Sequence, residues 1–524
     1  MIRWSCLLPC LSLRGTAISL PASINAGAIF SQSQDVFQIL ENGFGAGAHF
    51  FSLCAAWQAG GQSGARLHYL AIEPQPLSRA ALKAALAGKD LPACAAQLLA
   101  QWPPLIPGFH SLSLSPRLTL TLVFGDLGSC LPQITGEFDA VISDVPLPTG
   151  ALVLRRRISA PPRALVIGAG IAGASAAYAM ARRGIAVNVI ERIQPASGGS
   201  GNPVAVVRAE PGGAHHPITT LSAAGVTWLM RWIAQYGQTV PHDFCGAIRL
   251  TRDAPRHEKL AAHAREFPPE WLHEIDRDSA SRLAGQRVAE RGFLLPYAGW
   301  LEPVALVEAL LAHPLITLQS ATGVEDLQQA PDGQWRLSLS DGSSMVSGCV
   351  ILASAFAGAL SPVPLAIDRA RGQLSMVPQR PGQTLDKVVC RDGYLTPAVR
   401  GWHTIGATIQ KNDACADARQ PDDLENFQRV QRLLPGFVED PALLSSGRVA
   451  WRAVTQDRLP MVGRVADGVY ASLAHGSRGI TCAPLCGEWL AALILGECLP
   501  LAASWQGLLD PLRVASSEAS SGAS

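Results

Sequence analysis

The stretch "RALVIGAGIAGASAAYAMARRGIAVNVIER", starting at Arg163, constrains this chain more than any other. An apolar run, Ala164 to Ile167, enters a loop with glycines at 168, 170 and 173, and an alanine-rich helical segment continues to Gly184. Each glycine has a separate physical task. Gly168 permits the tight turn, Gly170 lets the backbone approach a pyrophosphate, and Gly173 lets helix and strand pack closely. The helix N-terminus then faces the phosphates with its unpaired N–H groups. Glu191 closes the next strand, eighteen residues after Gly173, with Arg192 beside it. A carboxylate there accepts hydrogen bonds from ribose hydroxyls and repels a 2′-phosphate, which favours FAD or NAD over NADP.

Two later segments favour FAD. "ASGGSGNPVAVVRAEPGG" follows Glu191 directly and supplies Ser200, Gly201 and Asn202. In "GVYASLAHGSRGITCAPLCGEWLAALILG" a strand ending at Ala474 gives way to His475, Gly476, Ser477, Arg478, Gly479 and Ile480, and then to a long apolar helix. Both read as loops folded back on one cofactor, and a helix N-terminus aimed at a flavin stabilises the negative charge that the ring gains on reduction. His475, set before a glycine turn, is expected to pack or cap rather than act as a base.

A second glycine loop, "ILENGFGAG", lies upstream at Ile39. Four strand-like runs, "FQIL", "LHYLAI", "LTLTLVFG" and "FDAVISD", alternate with alanine- and leucine-rich segments, the pattern of a parallel α/β sheet. The prolines and arginines of "VPLPTGALVLRRRISAPPR" read as a linker. Further on, "WRLSLSDGSSMVSGCVILA" and "TLDKVVCRDGYLTPAVRGWHTIGAT" read as antiparallel strands with tight turns. The expected organisation is a poorly ordered leader (1–36), a partial α/β domain (37–150), a linker (151–162), a Rossmann-type domain with an inserted antiparallel-sheet substrate domain (163–513), and a disordered tail (514–524).

Composition excludes several classes. With 524 residues, 48% apolar, the chain buries large cores rather than staying disordered. Forty-two basic against 41 acidic residues leave a net charge of +1, so any RNA contact must be a local patch. Twelve scattered cysteines, with only Cys6/Cys10 and Cys482/Cys486 closely spaced, show no zinc-like pattern and read as reduced thiols of a cytoplasmic protein. "WLAALILGECLPLAA" carries Glu497 and is too short to span a bilayer. The leader loosely imitates a signal peptide, but Arg14 splits its apolar part, so a poorly ordered leader or a misplaced start is expected. No metal is expected, and a monomer is.

The fingerprint segments resemble the FAD-dependent amine and amino-acid oxidases of the D-amino-acid and sarcosine oxidase type. "SGNPVAVV", "GWLEPVALVEAL", "RAVTQDRLPMVG" and "HGSRGITCAPLCGEWLA" narrow the resemblance to the bifunctional enzymes that finish the methylaminomethyl group of the tRNA wobble uridine. The resemblance implies that FAD oxidises the secondary amine, water hydrolyses the imine, and the carboxymethyl group leaves as glyoxylate, giving the 5-aminomethyl form. A substrate carboxylate calls for a bidentate arginine with a tyrosine hydroxyl beside it; Arg452, Arg478 and Tyr394 are the candidates.

The upstream half resembles the S-adenosylmethionine-binding half of the same enzymes. There the resemblance implies a methionine-side cradle at Glu41, Gly43, Gly45 and Gly47, a ribose acid at Glu73, Asp126 near the adenine, and Asp144 near the amine to be methylated. That family continues after this acid for roughly another hundred residues to complete a full-sized sheet, whereas this chain offers "VPLPTG" and a linker. Missing strands would leave the fourth strand's edge unpaired and apolar surface uncovered, so a degenerate methyltransferase is expected. Three alternatives stay open: an oxidase of free amino acids or N-methyl amino acids, a non-catalytic tRNA-binding or scaffold protein, and a fully bifunctional enzyme.

Overall fold

In the computed structural model, residues 18–19, 36–59, 65–145, 160–356 and 359–513 are described. The chain forms two compact units: residues 1–160 with 489–507, and residues 161–488 with 508–524. Most of the leader, most of the linker and all of the tail foreseen from the sequence lie outside the described residues.

The first unit is built on a six-stranded sheet. Its order runs Ile18–Ser19, Ala140–Ile142, Val36–Asn42, Arg66–Glu73, Leu118–Phe124, Gly108–Ser115, and every neighbouring pair is parallel except the last. Its central strands are buried on both faces, as a parallel sheet requires. Phe37, Ile39, Leu67 and Tyr69 join one core cluster, while Leu40, Leu70 and Ile72 join the other. The antiparallel strand Gly108–Ser115 was missing from the sequence reading. Its "HSLSLS" alternates buried and half-buried positions and so carries the period of a one-faced strand.

The expectation of a bare fourth-strand edge and an uncovered face needs correction. Ile18–Ser19 pairs in parallel with Ala140 and Val141 on the far side of that strand. The sheet face carrying Leu40, Leu70 and Ile72 is covered by Leu131, Ile134, Phe138 and Cys498. The segment around Cys498 is fixed by backbone bonds: Cys498 N–H donates to Gln38 Oε1 at 2.6 Å, and Leu499 N–H to the Thr135 carbonyl at 3.1 Å. An ion pair between Arg66 and Glu497 at 2.5 Å adds to these.

In the second unit, the nucleotide-binding sheet has the order Ile316–Gln319, Ala186–Ile190, Arg163–Ile167, Val350–Leu352, Val469–Leu473, Met461–Ala466, parallel until the last, antiparallel pair. Val350–Leu352, read from sequence as antiparallel, is therefore a central parallel strand; a three-stranded antiparallel sheet, Val324–Gln329, Trp335–Leu339 and Ser344–Ser347, precedes it. The helix Ile171–Ala181 buries ten of its eleven residues, as an all-round apolar helix must. Helix Gly479–Leu495 packs on it so closely that a Cβ on Gly487 would lie 2.6 Å from the Ser175 carbonyl oxygen. Arg182 and Arg183 clamp Glu488 at 3.2 and 2.8 Å, satisfying a buried carboxylate.

The substrate sheet has nine strands, centred on the paired long strands Asp368–Pro378 and Ser445–Val454. It is antiparallel apart from Ala247–Leu250 against Val388–Cys390, and three-stranded Ala205–Arg208, Ala298–Leu301 and His242–Asp243 lies beside it in the chain order. By length and composition one helical stretch among the described residues, Gly476–Leu495, is long and apolar enough to cross a membrane; 72% of its apolar window is buried inside the protein.

Candidate active site

The glycine loop adopts the geometry its sequence demands. Gly168 has φ +103°, and a Cβ there would lie 2.9 Å from the Ser354 Cα. A Cβ on Gly173 would fall 1.8 Å from the Gly168 carbonyl oxygen, so helix and loop touch backbone to backbone. Glu191 locks this loop: its Oε2 accepts from Ala169 N–H at 2.8 Å and its Oε1 from Ile193 N–H at 3.0 Å. Each carboxylate oxygen keeps a lone pair for a hydroxyl. At the start of the helix, Ile171 N–H donates to Ser200 Oγ at 3.0 Å.

The C-terminal loop arrives at the same place. Ala474 and Gly476 both take positive φ, +55° and +58°, which turns the strand Val469–Leu473 sharply into the helix Gly479–Leu495. A Cβ on Gly479 would touch Ile171 Cγ2 at 3.4 Å, so the N-termini of two buried helices converge. His475 Nε2 shares a hydrogen bond with Ser472 Oγ at 3.0 Å, and Nδ1 is buried with no partner. Burial lowers its pKa to about 4, so the imidazole is neutral.

All of this lines one cavity of about 1570 Å³. Gly168, Gly170, Glu191, Arg192, Ser200, Asn202, Gly476, Ser477, Gly479 and Ile480 line it, and so do Tyr394, Arg452 and Arg478. Gly173 and Gly201 stand behind it, because their missing side chains admit backbone: a Cβ on Gly201 would lie 2.4 Å from the Ala196 carbonyl oxygen. The cavity's charge departs from the balanced chain. Thirteen Lys and Arg line it against four Asp and Glu, an excess that a low-dielectric wall focuses inward.

The opposite wall comes from the substrate sheet. Arg448 and Arg452 stand four residues apart on Ser445–Val454 and so share one face of it. Arg448 Nη2 holds the Ser197 carbonyl at 2.6 Å, and burial lowers its pKa. Arg452 is also lowered by burial, yet its one hydrogen bond given by the structure is long, 3.5 Å to the Thr408 carbonyl. Among the described residues it has no carboxylate partner. Tyr394 sits within electrostatic reach, its phenol pushed up to about 12 by burial. Two glycines missed in the sequence make room for this pair. A Cβ on Gly372 would lie 2.4 Å from Arg452 Nη1, and one on Gly406 2.7 Å from Tyr394 Oη.

Nearby, Arg208 pairs with Glu210 at 3.0 Å. Burial alone would raise Glu210, but Arg208, Arg249 and Arg478 outweigh it and hold the carboxylate low. Arg478 itself donates to the Arg458 carbonyl at 2.8 Å. The cluster Arg208, Glu210 and Arg249 was also missed, since its members are joined only by the sheets.

In the first unit, Gly43, Gly45 and Gly47 all take positive φ, and Glu73 repeats the role of Glu191: its oxygens accept from Gly45 N–H at 2.7 Å and Gln75 N–H at 2.8 Å. Glu41 differs. It is buried, and its two oxygens are taken by His49 Nδ1 and Tyr69 Oη, both at 2.8 Å. Burial raises its pKa against these bonds. Asp126 caps the turn Leu127–Cys130 through Ser129 N–H at 2.9 Å, and Asp144 is exposed. The structure thus places Glu41, the glycines and Glu73 at one strand end, with His49 raised in pKa chiefly by its hydrogen bond to Glu41 and Asp144 within electrostatic range of it. No group of three or more His, Cys, Asp or Glu suited to a metal occurs among the described residues.

Residues 163–493 match the family described as FAD dependent oxidoreductase. The positive-φ loop, the two converging helix ends, the acid with spare acceptors and the basic cavity fit FAD, and this unit is an FAD-dependent oxidoreductase of the class acting on CH–NH bonds. Over 89% of its length the chain is 32% identical to the tRNA 5-methylaminomethyl-2-thiouridine biosynthesis bifunctional protein MnmC of Chromohalobacter salexigens, covering 83% of that protein. It is 31% identical to the MnmC of Thiobacillus denitrificans, over 92% of this chain and 91% of that one. The chain belongs to the MnmC family. Among solved structures, glycine oxidase from Bacillus cereus shares the fold with a TM-score of 0.56 at 20% identity, over 64% of this chain and 98% of that one. L-proline dehydrogenase from P. horikoshii does so with 0.59 at 18%, over 69% and 99%.

Proposed function

We propose that the oxidoreductase unit removes the carboxymethyl group from 5-carboxymethylaminomethyl-uridine at the tRNA wobble position, releasing glyoxylate and the 5-aminomethyl nucleoside. The observation that carries this reading is Arg452, a half-buried guanidinium lining a basic cavity, with no carboxylate partner among the described residues. A charge left unpaired in a partly desolvated wall is stabilised when a ligand completes it. A substrate carboxylate does so bidentately, and the protonated Tyr394 phenol donates a further hydrogen bond.

Gly168, Gly170, Glu191, Arg192, Ser200 and Asn202 would hold the adenosine and pyrophosphate of FAD, and residues 476–480 its ring end. Bound there, FAD supplies the acceptor for two electrons and the hydrogen from the methylene carbon. The chain's own residues do the rest. Arg452 and Tyr394 orient the carboxylate, and with it the methylene. The neutral His475 adds no positive charge, so the cavity's cations there are the fixed guanidiniums, Arg478 among them. These favour substrate amine in its uncharged, oxidisable form. Purified flavin-loaded protein should release glyoxylate from tRNA that carries the carboxymethylated nucleoside. Release from free glycine or sarcosine instead would support the amino-acid oxidase alternative.

We further propose that the first unit does not transfer methyl groups. Its backbone cradle is present, but Glu41, the acid expected to face the ligand, has both oxygens committed to Tyr69 and His49.

A further inference from the structure

Part of the cavity's charge lies at its rim. Arg252, Arg256 and Lys259 line the cavity and are all exposed. Arg256 and Lys259 stand on the helix Ala254–Ala264, with Arg252 in the turn before it. Within the helix, the interval of three residues puts Arg256 and Lys259 on one face, and Arg252 precedes them beyond the extended N-cap Asp253. The helix is anchored from its other side by buried His257, which bonds Thr251 Oγ1 at 3.1 Å and Glu274 Oε1 at 2.6 Å. The face is therefore held in place while its cations reach solvent.

Nearby charge cancels part of it, including exposed Glu258 on the same helix. Asp253 caps the helix through Arg256 N–H at 2.9 Å and pairs with the Arg256 guanidinium at 2.5 Å. Asp392 lies within electrostatic range of Arg252. Among the described residues Lys259 has no ion-pair partner. The carboxylate of a small free amine is satisfied by Arg452 and Tyr394, which leaves these exposed cations without a task in small-molecule oxidation. A nucleotide within a polymer is different, because its neighbouring phosphates must stay outside.

We infer that the Arg252–Arg256–Lys259 face docks the phosphodiester backbone flanking the nucleotide that enters the cavity. This rests on the reading that the substrate is RNA. From Arg256 to Lys259 a helical rise of about 1.5 Å per residue separates the two by about 4.5 Å along the axis, and Arg252 extends the strip past the start of the helix, so the three cations can meet neighbouring phosphates of one strand. With a chain charge of only +1, attraction of RNA requires a local strip of this kind.

The test uses flavin-loaded full-length protein and an unmodified tRNA transcript, with binding followed by fluorescence anisotropy across a salt series. Each phosphate that the protein no longer neutralises lowers the slope of log K against log salt by roughly one. Lys259→Gln should therefore reduce the slope by about one, and Arg252→Gln/Lys259→Gln by about two, with affinity at low salt falling about tenfold or more. Arg252→Lys/Lys259→Arg should restore both. A control pair of equal charge change outside the cavity lining, Arg282→Gln/Arg336→Gln, should leave the slope unchanged. Flavin content and melting temperature establish that each variant is folded. If the wild type binds tRNA and the rim variants keep its slope, or the control pair loses as much, the inference fails while the tRNA reading stands. If the wild type shows no salt-dependent tRNA binding, both fail.

Discussion

Arg452 offers a prediction that separates a ligand-binding arginine from a structural one. Replacing it by Gln keeps a polar group of moderate size but removes the charge and the bidentate fork. The structure gives Arg452 one long hydrogen bond, to a backbone carbonyl at 3.5 Å, and burial works against its charge. Removing it strands no carboxylate, so the folded state should lose little: a change within about 0.5 kcal/mol, or a slight gain. Substrate binding should suffer heavily, because truncating one partner of a buried, hydrogen-bonded charge pair costs about 2–5 kcal/mol. At about 1.4 kcal/mol per decade, that is a fall in kcat/KM of about 30-fold to several thousandfold. The assay is anaerobic flavin reduction by stopped flow with two amines, one bearing the N-carboxymethyl group and one lacking its carboxylate. Arg452→Gln should collapse the preference for the first and barely touch the second. If both amines slow equally, or if melting shows a loss above about 2 kcal/mol, Arg452 holds the sheet together and the carboxylate assignment is refuted.

Other consequences follow from the same geometry. Gly173→Ala places a methyl group 1.8 Å from the Gly168 carbonyl oxygen, so the loop must shift; flavin content should fall sharply while the far-UV circular dichroism of the rest of the chain persists. His475 has a folded pKa near 4 against an ordinary 6.5, so below pH 6.5 the unfolded chain binds a proton that the folded chain refuses. Stability should decline as pH falls from 6.5 toward 4, by at most about 1.4 kcal/mol per pH unit and by less because the cavity admits solvent. His475→Gln should flatten that part of the profile in pH-dependent thermal melts. Calorimetric titration with S-adenosylmethionine should show no heat of tight binding; a low-micromolar site would restore the bifunctional alternative.

How much of this was legible in the sequence depends on the distance over which each feature is determined. The loop at Gly168 is a local device, with its glycine spacing and Glu191 inside about thirty residues, so its geometry could be read directly. The loop at Gly476 was legible for the same reason. Arg452 was found by resemblance, but its companion Arg448, two positions of strand alternation away, was overlooked. The alternation of "SSGRVAWRAV" points both to one face. Gly372 and Gly406 were not legible, because what they clear space for is set by pairings such as Ala370 with Arg452 across the sheet. The covering of the first unit's sheet was equally hidden. It depends on Ile18 meeting Ala140 and on Cys498 meeting Gln38, pairs more than a hundred positions apart whose meeting no periodicity records.

The central claim concerns what the cavity oxidises, and the wobble nucleoside itself reports on it most directly. Mass spectrometry of tRNA nucleosides from cells lacking this gene should show the 5-carboxymethylaminomethyl form, and restoring the gene should convert it to the 5-aminomethyl form. An unchanged carboxymethylated nucleoside after restoration would contradict the account.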